Sequence, residues 1–270
     1  MLTCYLDEST AHGEADPATC VAGYVATGKQ WDKFSRAWNL MLNEYGVSIF
    51  HTKEFETEEG RKRSVYKGWS KKKRNRFQND IIDIIVGSGL QDVGIAIPLS
   101  VFRAVMTPDR TKKYGKTPDG LCAVLTMMQA GGYAWDNKAV YKQAPSFVYE
   151  RGGAYKAILK WAHQQLTTES KVYREFFRLS TLTLAPKGKE FPQLQAADYL
   201  AFNSSKRSSH VVDPNPPASA ILETLSDGKK VRRARYPLLA LYGKDGSYVR
   251  HAPTAERLEK LLQVLEGDED

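Results

Sequence analysis

Thr3-Cys4-Tyr5-Leu6-Asp7-Glu8, followed after a turn-rich stretch by Cys20-Val21-Ala22-Gly23-Tyr24-Val25-Ala26, decides how this chain folds. The first segment alternates in character with a period of two, and the second is almost continuously apolar. Between them, Ser9 to Thr19 carries Gly13, Asp16 and Pro17, so the pair predicts a β-hairpin. The period then changes. Thr27 with Gln30 three residues on has the form of a capping box. Trp31, Phe34, Trp38, Met41, Leu42 and Tyr45 keep helical spacing, so an amphipathic helix is expected over residues 29–45, closed by Gly46.

Further along, Phe77, Ile81, Ile84 and Ile85 mark a second amphipathic helix, and Val93 to Ile97 a strand stopped by Pro98. Thr117 and Pro118 read as N-cap and first helical residue of a helix carrying Leu121, Val124, Leu125 and Met128. Ser146 to Glu150 is a strand after Pro145, and Arg151-Gly152-Gly153 is its turn. A helix through Leu159, Ala162 and Leu166, a last strand over 176–184 and a loop at Pro186-Lys187-Gly188-Lys189 follow. Pro192 opens a helix through Gln195, Asp198 and Phe202; residues 211–218 read as a surface linker, and 254–265 as a final helix. This order predicts an α/β fold: a mixed sheet, hairpin first and then parallel strands with crossover helices. One domain over residues 1–270 is expected, with a basic insertion at about 56–76 and a C-terminal extension at about 211–270.

With 42% hydrophobic and 26% charged residues, the composition is that of a globular protein and excludes a disordered chain. No apolar run is long enough for a membrane-spanning helix, and Met1 to Glu8 lacks the pattern of a signal peptide. Cys4, Cys20 and Cys122 are too few and too scattered for a disulfide framework or a zinc site. The expected location is the cytoplasm, with no membrane partner. The net charge of +8 is concentrated: residues 61–76 hold nine basic residues and no acid, so the remainder carries −1. Arg61, Lys62, Arg63, Lys67, Lys71, Lys72, Lys73, Arg74 and Arg76, interleaved with Tyr66 and Trp69, suit a nucleic-acid backbone with stacked bases. A smaller cluster lies at Lys229, Lys230, Arg232, Arg233 and Arg235, and the tail from Glu266 to Asp270 is acidic.

Three acids stand where ligand-binding acids stand. Asp7 and Glu150 end strands, and adjacent strand ends converge at one edge of an α/β sheet. Asp198 lies in a mostly apolar helix, where a carboxylate needs a partner or a metal. Carboxylates crowded together repel unless a cation neutralises them, and hard oxygen ligands suit Mg²⁺ or Mn²⁺. His51 and Glu54, three apart, share a face if their segment is helical. The chain has no His-Glu-x-x-His zinc motif, no Gly-x-x-x-x-Gly-Lys-Ser/Thr phosphate loop and no Gly-x-Ser-x-Gly elbow.

Tyr5-Leu6-Asp7-Glu8-Ser9 resembles the Tyr-x-Asp-Glu-Ser-Gly opening of the domain of unknown function 3800 family, with Thr10 in place of the Gly. Phe50-His51-Thr52-Lys53-Glu54 is similar to its His-x-x-Glu element, and Leu194-Gln195-Ala196-Ala197-Asp198-Tyr199-Leu200-Ala201 to its Leu-Gln-x-Ala-Asp-x-x-Ala helix. The resemblance spans about residues 3 to 206. It implies a ribonuclease H-like fold, a nucleolytic activity, and Asp7, Glu54, Glu150 and Asp198 as metal-binding acids. The expected chemistry is two-metal hydrolysis of a phosphodiester in RNA or DNA, with His51 assisting proton transfer and Gln195 orienting Asp198. Glu8 is expected on the opposite face of its strand from Asp7. Two other readings remain open: a non-catalytic nucleic-acid-binding protein on the same fold, and a metal-dependent nucleotide hydrolase.

Overall fold

A computed structural model describes residues 1–11, 13, 15–137, 144–150, 155–169, 180–210 and 255–266. The expected turn at 151–153, the linker at 211–218, the basic cluster at 229–235 and residues 267–270 of the tail lie outside them.

The alternation of the opening segment governs the architecture. Strand β1 (Leu2–Thr10) turns Leu2, Cys4 and Leu6 to one apolar layer and Tyr5 to another. Strand β2 (Ala18–Thr27) pairs with it antiparallel, as the hairpin reading requires. Helix α1 (Gly28–Tyr45) starts on the expected capping box: the Thr27 hydroxyl accepts from Gln30 N, and the Gln30 side chain accepts from Thr27 N at 2.9 Å. It ends at Gly46, whose φ of 71° is the left-handed conformation glycine adopts without strain.

Short helices α2 (Thr52–Glu56) and α3 (Glu58–Lys62) lead to α4 (Lys71–Gly87), and strand β3 (Gln91–Pro98) follows. The third strand runs antiparallel to β2, where a parallel crossover strand was expected. The cause lies in the helices between them. Helices α1 and α4 have nearly equal lengths and run out and back, so the chain returns to its starting end: Gln30 Nε2 donates to Gly89 O at 2.6 Å, and Lys33 Nζ to Gly87 O at 2.6 Å. Helices α5 (Leu99–Val105), α6 (Pro108–Tyr114) and α7 (Asp119–Asp136) follow, α7 starting beyond Pro118 rather than at it. Strand β4 (Ser146–Glu150) pairs parallel with β1, and β5 (Leu182–Ala185) parallel with β4. Of the strand expected over 176–184, residues 176–179 lie outside the described part. Helix α8 (Tyr155–Gln164) precedes β5, and α9 (Pro192–His210) follows it.

The result is a five-stranded mixed sheet in the order β3-β2-β1-β4-β5, with helices on both faces. On one face, α7, α8 and the apolar sides of β1, β2, β3 and β4 form a core of Leu6, Val21, Ile95, Leu121, Phe147 and their neighbours. Helix α10 (Ala255–Glu266) joins this core through Leu258 and Leu262 and pairs Glu259 with Arg110 in a two-pronged ion pair, so the C-terminal segment closes onto the domain. On the other face, α1, α4 and α9 enclose an aromatic core of Trp31, Phe34, Trp38, Phe50, Phe55, Tyr66, Phe77 and Tyr199. The three thiols are buried and free, and burial pushes each pKa up, which makes them inert packing residues. Among the described residues no helix is long and apolar enough to cross a membrane.

The basic segment is where the sequence reading needs most correction. It is no protruding arm. Lys71 to Arg76 are the first turns of α4, whose N-cap Ser70 accepts from Lys73 N. Tyr66 is 1% exposed and its ring packs edge-on to Phe55 and Trp69, so it is a core residue and closed to a nucleic-acid base. The half-buried Trp69 ring packs against Tyr45, Tyr66 and Phe77, with Lys73 Nζ 4.0 Å from a ring centroid. The Tyr66 hydroxyl is buried and has no hydrogen-bond partner among the described residues. An orphan hydroxyl costs about 1–3 kcal/mol, whereas deleting a core ring costs about 3–5 kcal/mol. Tyr66→Phe should therefore melt at or above wild type and Tyr66→Ala far below it; a Tyr66→Phe variant melting well below wild type would mean that the hydroxyl has a partner.

Candidate active site

Asp7 lies near the end of β1, on the face opposite to Leu6 and Glu8. Glu150 ends β4, the parallel neighbour of β1, so sheet geometry alone brings the two together. Asp198 projects from α9, which packs across β1 and β2 on the same face. Its carboxylate is fixed by the first residue of α2: Thr52 N donates to Asp198 Oδ2 at 2.9 Å.

The point on which the three acids converge is held by Lys187, in the loop after β5. Its ammonium lies 2.7 Å from Asp7 Oδ2, 2.9 Å from Glu150 Oε2 and 3.6 Å from Asp198 Oδ2. The Lys187 side chain is 9% exposed and that of Asp7 3%, so the pair is inside the protein, while Glu150 at 33% opens the cluster to solvent. Burial works against the ammonium, and the carboxylates of Asp7 and Asp198 outweigh it, holding Lys187 above the ordinary lysine range. Burial pushes the Asp7 carboxyl up; Lys187 pulls it back down, and Asp198 and Glu8 add like-charge repulsion. Three carboxylates and one ammonium leave the cluster with a formal charge of −2.

Sequence reasoning passed over Lys187 as an unremarkable loop residue. Its signal was position: a lysine directly after the strand neighbouring β4, between Pro186 and Gly188, sits at the edge where Asp7 and Glu150 emerge. The role expected for Gln195 also changes. Its side chain makes no hydrogen bond to Asp198. It accepts from Phe50 N at 2.8 Å and from Trp38 Nε1 at 3.2 Å, and donates to Gly188 O at 3.0 Å. Gln195 thus ties together the chain entering α2 and the loop that carries Lys187.

His51 and Glu54 flank Thr52, whose N–H holds Asp198. Glu54 is exposed on α2, and His51 is the half-buried N-cap of that helix; neither forms an ion pair with the cluster among the described residues. Burial pushes the Tyr66 hydroxyl up, and the carboxylates of Glu54 and then Asp198 add to it. Glu8 points to the other face, as expected, and accepts from the Tyr149 hydroxyl.

The donor set suits a hard divalent cation, since three carboxylates from three elements face one point and a positive charge already stands there. No group of three or more His, Cys, Asp or Glu among the described residues is arranged to hold a metal ion as it stands, and the place between the carboxylates is taken by Lys187.

The cations of the basic segment divide by contact. Arg61 donates to Phe55 O and Glu56 O and closes the end of α2, and Arg74 donates to Trp69 O. Lys62 and Arg63 pair with Glu58 and Glu59 on the surface. Lys67, Lys71, Lys72 and Arg76 are exposed.

No protein-family model matches the chain, and no curated protein is recognisably similar to it.

Removing one partner of a buried ion pair costs about 3–5 kcal/mol. Asp7→Asn and Lys187→Gln should each destabilise the protein on that order, and the double variant should lose less than their sum, with a coupling of about 1–3 kcal/mol in urea melts. Strict additivity would show that the pair contributes nothing to stability.

Proposed function

We propose that this chain is a Mg²⁺- or Mn²⁺-dependent nuclease, or a related enzyme of phosphodiester chemistry, whose site is built on Asp7, Glu150 and Asp198. The observation that carries the reading is the convergence of three acids, 143 and 191 residues apart from Asp7 in sequence, on one buried cation. Surface acids have no reason to gather there: desolvation and mutual repulsion oppose it, and such arrangements persist where function requires them.

The strand order β3-β2-β1-β4-β5, with three antiparallel strands followed by two parallel ones, supports a ribonuclease H-like assignment. So does the placement of the first acid on β1 and the last on a helix packed across the sheet. The resemblance to the domain of unknown function 3800 family rests on the same residues. When bound, the metal would activate water and stabilise charge on the phosphate oxygens. The chain's own part is to hold it with Asp7, Glu150 and Asp198, to fix Asp198 through Thr52 N, and to keep Glu54 and His51 at the rim, where His51 can take or give a proton. Lys67, Lys71, Lys72 and Arg76 supply exposed positive charge for a phosphate backbone.

Glu150→Gln is the cleanest activity variant, because its side chain is one-third exposed and the change costs little folding energy. Glu150→Gln and Asp7→Asn should each abolish Mn²⁺-dependent cleavage of a mixed panel of single-stranded, duplex and hybrid nucleic acids, while Glu8→Gln retains it. If wild type cuts nothing on the panel and binds nucleic acid equally well in EDTA, the protein is a binder. The exposed lysines are tested separately: replacing Lys67, Lys71 and Lys72 by Ser should reduce the slope of log affinity against log salt by roughly 2–3 units on duplex DNA. The melting temperature should stay unchanged, and an unaltered slope would remove this face from the interface.

A further inference from the structure

We propose that Lys187 is the resident counter-ion of the acid cluster, a built-in cation that holds the three carboxylates in place and must yield its position before a divalent ion can bind. The inference rests on the metal-site reading above and assigns a role in it to a residue outside the motifs.

The geometry carries it. A single Nζ lies within 4 Å of one oxygen from each of Asp7, Glu150 and Asp198, which come from β1, β4 and α9. No other described cation forms an ion pair with these acids. The ammonium offers one positive charge against three negative ones, so a divalent ion in the same place would leave less repulsion behind. The exchange falls to the lysine side chain, because the main chain beside it is held. Gly188 O is held by Gln195 Nε2 at 3.0 Å and by Phe191 N at 3.2 Å, so the loop is anchored while the four-carbon lysine stem stays rotatable. A methyl group built on Gly188 would meet nothing within 4 Å, so there is open space beside the lysine's anchor. Glu150, the most exposed of the three acids, marks the side on which the cluster opens.

The arrangement also accounts for three carboxylates gathered around one ammonium. Lys187 shields buried Asp7 from the cost of an uncompensated charge, and so keeps the acids assembled until the exchange. The lysine lowers apparent metal affinity to the fraction of time the place is free: occupancy of nine-tenths or more weakens binding about tenfold or more.

Two measurements test this, both with Mn²⁺ alone as the probe. In calorimetric titration, Lys187→Gln should bind Mn²⁺ at least about tenfold more tightly than wild type, although its metal-free form melts lower. In wild-type protein, trace acylation of amines read by peptide mass spectrometry should label Lys187 weakly without metal and several-fold more with saturating Mn²⁺, while the exposed Lys189 stays constant. The second measurement needs no variant, so it decides the matter even if Lys187→Gln fails to fold. Equal or weaker Mn²⁺ binding by a folded Lys187→Gln, or unchanged labelling of Lys187 in metal-bound wild type, overturns the counter-ion role and leaves the metal site standing. If wild type and variant both fail to bind Mn²⁺, the metal-site reading falls, and this inference with it.

Discussion

The ammonium of Lys187 among three carboxylates is the interaction on which this face of the molecule depends. Asp7 is 2% exposed and Lys187 nearly as deep, so neither charge has water to fall back on. A buried charge without a partner is costly enough to reorganise its surroundings. The end of β1, the end of β4, the loop after β5 and the middle of α9 are therefore held in one relation by electrostatics. Around that point the sheet supplies the directions: parallel pairing of β1 with β4 sets Asp7 beside Glu150, and the alternation of β1 sends Glu8 away to Tyr149.

Gln195 is the neutral counterpart of this ion cluster. Fully buried, it spends its side chain on Phe50 N, Trp38 Nε1 and Gly188 O, joining α1, the chain before α2 and the lysine loop to α9. A buried amide with its groups satisfied fixes geometry more sharply than apolar contact does. One turn on from Gln195, Asp198 takes Thr52 N. The two polar residues of an otherwise apolar helix face thus clamp the segment around His51 from both sides, which accounts for the pattern Leu-Gln-Ala-Ala-Asp in physical terms: small alanines allow close approach, and the polar pair sets the register.

Much of this was legible in the sequence because it is local. The capping box at Thr27 and Gln30, the closing Gly46, the hairpin and the amphipathic helices follow from short-range rules. The three acids were legible by position: two at the ends of strands that meet at one sheet edge, and one in a mostly apolar helix. What escaped reading was non-local. The direction of β3 depends on the matched lengths of α1 and α4, and the fate of Tyr66 and Trp69 on a core assembled from α1, α2 and α4. Nine cations without an acid look like an arm in sequence. In space, Arg61 and Arg74 turn inward to backbone carbonyls and Lys73 covers Trp69. Lys187 was hidden for the same reason, since a loop lysine is ordinary until the topology shows which strand ends lie beside it.

The two kinds of positive charge in this chain then have separate physical tasks. The exposed lysines of α4 and the turn before it sit in water, where their attraction for an anion is long-ranged, screened by salt and indifferent to detail. Lys187 acts in a dry site at contact distance, where its field is strong but reaches only the acids that touch it. Placing the strong charge inside compensates the acids at contact distance, independently of the surface lysines. An anion that reaches the cluster meets a formal charge of −2, which repels it. Lys187 compensates only one of the three negative charges that meet there.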